Sequence, residues 1–133
     1  MKFKHIEKAH VAREATSRID FPEIDGCPWL EVRPAGESNK AYTAAVMRQP
    51  DRQRLLRGRW TPEEIARERA SSAPLYGEFI LTGNGGGWMS DESGEEVKMP
   101  LAVDDRIALL KQLPPDLFDR LRLHCNDLGN FRN

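Results

Sequence analysis

Residues 103–129 read VDDRIALLKQLPPDLFDRLRLHCNDLG, and the reading of this stretch decides the fold. Val103, Ile107 and Leu110 recur at helical spacing, with Asp104 and Asp105 in a first turn where the helix dipole favours negative charge. Pro114-Pro115 forces a corner, because proline cannot supply the amide that would continue the ladder. Asp116 then starts a second helix whose apolar face is Leu117, Phe118, Leu121, Cys125 and Leu128, and Gly129 is placed to close it. Two short amphipathic helices around a proline corner must pack on something. The class expected is α+β, mainly α-helical, with several short helices and one or two small β-hairpins.

The residues before this unit supply the β component. Trp88-Met89 and Val97-Lys98-Met99 can pair across Asp91-Glu92-Ser93-Gly94, a small hairpin with an acidic tip that Pro100 ends. Gly83-Asn84-Gly85-Gly86-Gly87 reads as a loop or hinge, since glycine loses the most backbone entropy on ordering. Nearer the N-terminus, Ile19, Phe21, Trp29, Leu30 and Val32 flank Asp25-Gly26, the dipeptide favoured where a hairpin turn needs positive φ. Pro22 and Pro28 keep those strands short or at an edge.

Between the hairpins lie the helical signals. Ser38-Asn39 offers a cap for a helix through Tyr42, Ala45 and Val46 that stops near Pro50. Asp51 can restart a basic helical segment, Arg52 to Gly58, in the arginine run that ends beside Trp60. Thr61-Pro62-Glu63-Glu64 is the clearest local signal: an N-cap, a proline suited to the first helical position, and a glutamate that completes a capping box. Pro74 is expected to break or kink this helix, with a turn or two resuming through Leu75, Tyr76, Phe79 and Ile80. The domain plan is thus a weakly ordered arm at 1–15 and a single small domain at 16–133. That domain comprises a hairpin (16–34), helices (38–82), a loop and hairpin (83–99) and two helices (103–129).

The chain has 133 residues, enough for one modest core. Its 20 lysines and arginines nearly balance 21 aspartates and glutamates, which argues against a dedicated nucleic-acid coat or membrane-surface protein. The basic residues at the start are followed by no apolar run, so they are not read as a signal peptide. Cys27 and Cys125 lie far apart and are expected to be buried free thiols in a reducing cytoplasm.

No catalytic or metal-binding pattern and no cofactor motif emerges. The glycine cluster is followed by a Trp-Met strand, where a phosphate cradle needs a helix N-terminus. Asp91, Glu92, Glu95, Glu96, Asp104 and Asp105 lack the spacing of a calcium loop. His5, His10 and His124 form no metal-ligand pair. The best candidate for a partner surface is the arginine run, with Arg52, Arg54, Arg57, Arg59 and Trp60, which suits an acidic protein segment or phosphates. Trp60 and Trp88 read as core anchors first, and as interface aromatics second.

Several of these motifs together resemble a known family. They are the proline-glycine hairpin, Asn39-x-x-Tyr42, the arginine-rich capped helix, Leu75-Tyr76 with Phe79-Ile80, and Trp88 followed by Asp91-x-x-Gly94-x-x-Val97. Leu109-Leu110-x-x-Leu113-Pro114, Leu117-Phe118 and Phe131 complete the set. Over about residues 20 to 131 the chain resembles the small tail assembly chaperones of long-tailed bacteriophages and prophages. The resemblance implies a non-enzymatic role in the bacterial cytoplasm: holding the helical tape-measure protein soluble and recruiting tail-tube protein to it, without entering the mature virion. The expected client surface is the apolar edge Ile107, Leu110, Leu117 and Leu121 together with the arginine helix. The competing readings are a nucleic-acid-associated phage regulator using the arginine helix and a structural head–tail virion component.

Overall fold

The computed structural model describes residues 11, 14–49, 61–90, 93–94, 96–97 and 101–132. Its main sheet has three short antiparallel strands, β1 (Ser17–Asp20), β2 (Trp29–Val32) and β3 (Leu81–Gly85), in spatial order β1-β2-β3. A separate two-stranded ladder joins β4 (Met89–Ser90) to β5 (Glu96–Val97). Among the described residues there are four helices, α1 (Lys40–Met47), α2 (Pro62–Phe79), α3 (Val103–Gln112) and α4 (Pro115–Asn126). A 3₁₀ turn at Leu128–Asn130 closes the structure. The class is therefore α+β and mainly helical, as the periodicities imply.

The first hairpin forms where Asp25-Gly26 falls. Asp20 pairs with Trp29, the Cys27 amide donates to the Ile24 carbonyl at 3.0 Å, and Gly26 has φ +88°. Alternation along these strands puts Ile19, Leu30 and Val32 on the buried face and leaves Arg18, Asp20 and Glu31 on the other. Helix α2 starts on the full capping box: Thr61 Oγ1 accepts from the Glu64 amide at 3.2 Å, while the Glu64 carboxylate accepts from the Thr61 amide.

Three expectations about backbone are corrected. Pro74 does not break α2, which continues as one helix to Phe79; Ala73 and Tyr76 on either side of it are buried, and that packing outweighs one lost hydrogen bond. The glycine stretch is not all loop, because Leu81–Gly85 forms the third strand of the sheet. Its glycines are there for room: a Cβ on Gly85 would sit 2.4 Å from the Trp29 indole, which lies over the strand. Helix α4 ends at Asn126 rather than at Gly129. The Asp127 carboxylate instead accepts from the Gly129 amide at 3.0 Å, and Leu128 is exposed, off the apolar face.

One hydrophobic core joins the layers. Phe21, Leu30 and Ile80 come from the sheet side, and Tyr76, Phe118 and Leu121 from α2 and α4. Tyr76 stacks edge-on to both Tyr42 and Phe118, with centroids 5.7 and 5.8 Å apart. Helices α2 and α3 approach closely at Gly77, where a Cβ would lie 2.6 Å from the Ile107 side chain. Asn39, fully buried, ties α1 to the end of α2: its side-chain oxygen accepts from the Tyr42 amide and its nitrogen donates to the Phe79 carbonyl. The expected arm at 1–15 lies mostly outside the described residues, though Val11 bridges to Arg132 and Ala15 packs on the core.

Candidate functional site

Of the residues named above as a client surface, Trp88, Ile107, Leu110, Leu117 and Leu121 lie among the described residues. Arg52, Arg54, Arg57, Arg59 and Trp60 lie outside the described residues. Leu110, Leu117 and Leu121 are 1%, 6% and 0% exposed, so they are core residues and not a docking edge. Ile107 is half-buried against Gly77 of α2. The correction has a simple cause. Helical periodicity shows which face of α3 and α4 is apolar, and here the sheet and α2 already cover that face.

Trp88 is anchored in the fold and keeps part of its surface open. Its indole N–H donates to the Trp29 carbonyl at 2.8 Å, and its ring meets Phe21 edge-on at 5.4 Å. The side chain is only half-buried, and its remaining surface forms one wall of an open groove of about 250 Å³. Ile24 from the β1–β2 loop forms a second wall, and Ala108, Leu109, Leu113 and Pro114 form the floor and far side. Asp105 and Gln112 complete the lining, so the face of α3 spaced 105, 108, 109 and 112 opens here. Sequence reasoning missed this face because Ala108 and Gln112 belong to no apolar stripe. Ile24 carried a usable signal, as an apolar residue in an otherwise polar turn.

The hairpin loop that supplies Ile24 is held in place by Arg120 of α4. Its guanidinium pairs with Glu23 at 2.7 Å, donates to the Asp20 carbonyl and stacks over the Phe21 ring at 5.2 Å. The Arg120 hydrogen bond holds the Glu23 carboxyl below its ordinary range. The opposite end of α3 is fixed as well, through Arg106 donating to the Leu81 carbonyl at 2.9 Å and the Leu101 amide donating to Asn84 at 3.0 Å. Both walls of the groove thus rest on the fold through specific polar contacts.

A second hollow, of about 530 Å³, lies beside the start of α1, between Glu14, Ser38 and Lys40. Elsewhere the titratable groups serve the core. Burial pushes the Cys125 thiol up to about 12 and the Tyr76 hydroxyl further still. Both cysteines are free, but Cys27 is exposed in the turn, correcting the expectation that both thiols are buried. Among the described residues no three His, Cys, Asp or Glu side chains cluster as a metal site, and no helix is long and apolar enough to cross a membrane. No protein-family model matches the chain, and neither a curated protein nor a solved structure shows significant similarity to it.

Proposed function

We propose that this protein is a tail assembly chaperone of a long-tailed bacteriophage or prophage, a non-enzymatic protein that binds the tape-measure and tail-tube proteins in the bacterial cytoplasm while the tail is built. Two things support the reading. The motif residues of the resemblance have coherent structural jobs: Asn39 and Tyr42 lock α1 to α2, while Leu110, Leu113, Leu117, Phe118 and Phe131 form the core under the α3–α4 corner. The observation that carries it is the groove at Trp88, an apolar recess of the kind an amphipathic client helix fills.

The client surface moves accordingly, from the buried leucines to the groove face of α3 and the loop opposite. Co-expression with candidate tape-measure and tail-tube proteins tests the reading. Tape-measure protein that stays soluble and co-purifies is the expected result, together with the protein's absence from purified particles. Failure to co-purify with either protein, or salt-sensitive binding to DNA in their place, would refute it. Recovery in the finished virion would point to a structural component instead.

A further inference from the structure

The groove at Trp88 has a chemistry that narrows what can occupy it. At about 250 Å³ it falls below the roughly 300–1,000 Å³ of small-molecule and cofactor clefts, and it is open along one side. That size suits one or two aliphatic side chains delivered by a larger partner. The lining positions 105, 108, 109 and 112 run along two turns of α3, about 10 Å, which matches the spacing of anchors on a facing helix. Tryptophan is among the residues that most often carry the binding energy of protein interfaces, and Trp88 forms one wall here.

One acid, Asp105, lines the groove, and three more stand within two residues of lining positions in sequence: Asp25 after Ile24, Asp104 before Asp105, and Asp116 after the Pro114-Pro115 corner. All four carboxylates are exposed. The cations nearby do not offset them equally: Glu23 engages Arg120, Arg106 is turned to the Leu81 carbonyl, and Lys111 alone of these lies exposed on α3. We infer that this groove docks an amphipathic helix of a partner protein whose apolar stripe enters between Ile24, Trp88 and Leu109 and whose flanking lysines or arginines meet Asp105 and its neighbouring aspartates. These aspartates select against helices with glutamate or aspartate beside the stripe, because like charges there would be brought together on docking. This inference rests on reading the protein as a binding module, and it names the chemistry of the client segment.

Two synthetic helical peptides with one shared leucine stripe, flanked by lysines in one and by glutamates in the other, provide the probe. Titrated into the isotope-labelled full chain, the lysine peptide is expected to shift the Ala108, Leu109 and Trp88 indole resonances and to bind about tenfold or more tightly than the glutamate peptide. Ala108→Arg fills the groove and Asp105→Lys reverses the charge of its lining acid, and each is expected to weaken lysine-peptide binding at least about tenfold. Both positions are exposed, and an unchanged thermal midpoint shows that the fold is kept. Equal binding of both peptides, no binding of either, or binding untouched by both variants overturns the proposal. A self-associating wild type made monomeric by Ala108→Arg also overturns it, by making a second copy the occupant. Failure here stays separable from failure of the proposed function. Tape-measure protein that co-purifies equally with both variants leaves the chaperone reading standing without the groove, whereas peptide binding without co-purification leaves the groove standing without the chaperone.

Discussion

A methyl group added at Gly85 would sit 2.4 Å from the Trp29 indole, and that ring cannot simply turn outward. Its outer side is stacked by the Arg18 guanidinium, 4.6 Å from the ring centroid, and the Trp29 carbonyl is held by the Trp88 indole N–H. Gly85→Ala therefore has to displace the Trp29 ring together with the guanidinium stacked on it, and an overpacked contact of this kind costs about 1–3 kcal/mol. Gly36 is the internal comparison: nothing lies within 4 Å of its Cβ position and its φ is not in the left-handed region. Gly36→Ala is expected to be neutral or to stabilise by about 0.4–1 kcal/mol through the unfolded chain. Urea denaturation of both variants checks the pair, and equal midpoints would refute the role given to Gly85. The same residue shows where sequence reading stops. Composition marks Gly83–Gly87 as backbone that is costly to order, while the reason for ordering it is the Trp29 indole, 56 residues before Gly85 in sequence.

At the scale of elements, α2 and α4 are clamped by charge as well as by the core. Arg122 donates to both oxygens of Glu68, from Nη1 to Oε2 at 2.7 Å and from Nη2 to Oε1, and Ser72 donates to Oε1 at 3.0 Å. One turn away Arg69 binds Asp119 through two nitrogens, at 2.9 and 3.2 Å. Burial works against the charged Arg122, and the Glu68 hydrogen bonds and charge more than offset it. The Glu68 side chain is 13% exposed and Arg122 26%, so the pair lies between exposed pairs, worth up to about 1 kcal/mol, and buried ones, whose breaking costs about 3–5 kcal/mol. Arg122→Met alone should cost about 2 kcal/mol, since it strands the Glu68 carboxylate. Adding Glu68→Leu should recover part of that loss, giving a coupling of about 1 kcal/mol or more in a double-mutant cycle, and additive effects would refute the clamp. Sequence carried the start of α2 completely, because Thr61 and Glu64 are local partners. It missed that the helix continues through Pro74, which rests on the burial of Ala73 and Tyr76, and it missed the pairing with α4, which joins residues about fifty apart in sequence. The apolar faces of α3 and α4 were legible in the same partial way: Leu110, Leu117 and Leu121 were identified as apolar, but only the packed sheet shows that they are already covered.

Across the whole molecule, the edge strand, the last helix and the chain's closing turn meet at His124. Its Nε2 lies 3.0 Å from Ser17 Oγ on β1, its ring packs edge-on to Phe131 at 6.1 Å, and its carbonyl accepts from Asn130 in the 3₁₀ turn. Burial lowers the His124 pKa below its usual 6.5, and the Asp127 carboxylate opposes that shift without cancelling it. In the unfolded chain the imidazole is free to take a proton near its ordinary value. As pH falls through about 6.5, the unfolded state therefore binds a proton that the folded state resists, and stability drops until the folded imidazole titrates too. Above that range both states are neutral and the histidine contributes no pH dependence. The lowered Asp119 carboxyl, held chiefly by its Arg69 hydrogen bond, adds a second loss only at more acid pH, as pH falls from about 4 through its folded value. The two windows can be told apart. Urea midpoints measured at close pH intervals between 7.5 and 5 should fall for the native sequence and fall less for His124→Gln, which keeps a hydrogen-bonding group but does not titrate. The other histidines, His5 and His10, are present in both proteins and cancel in the comparison. Parallel pH profiles for the two would show that His124 does not couple the closing turn to the edge strand through its neutral ring.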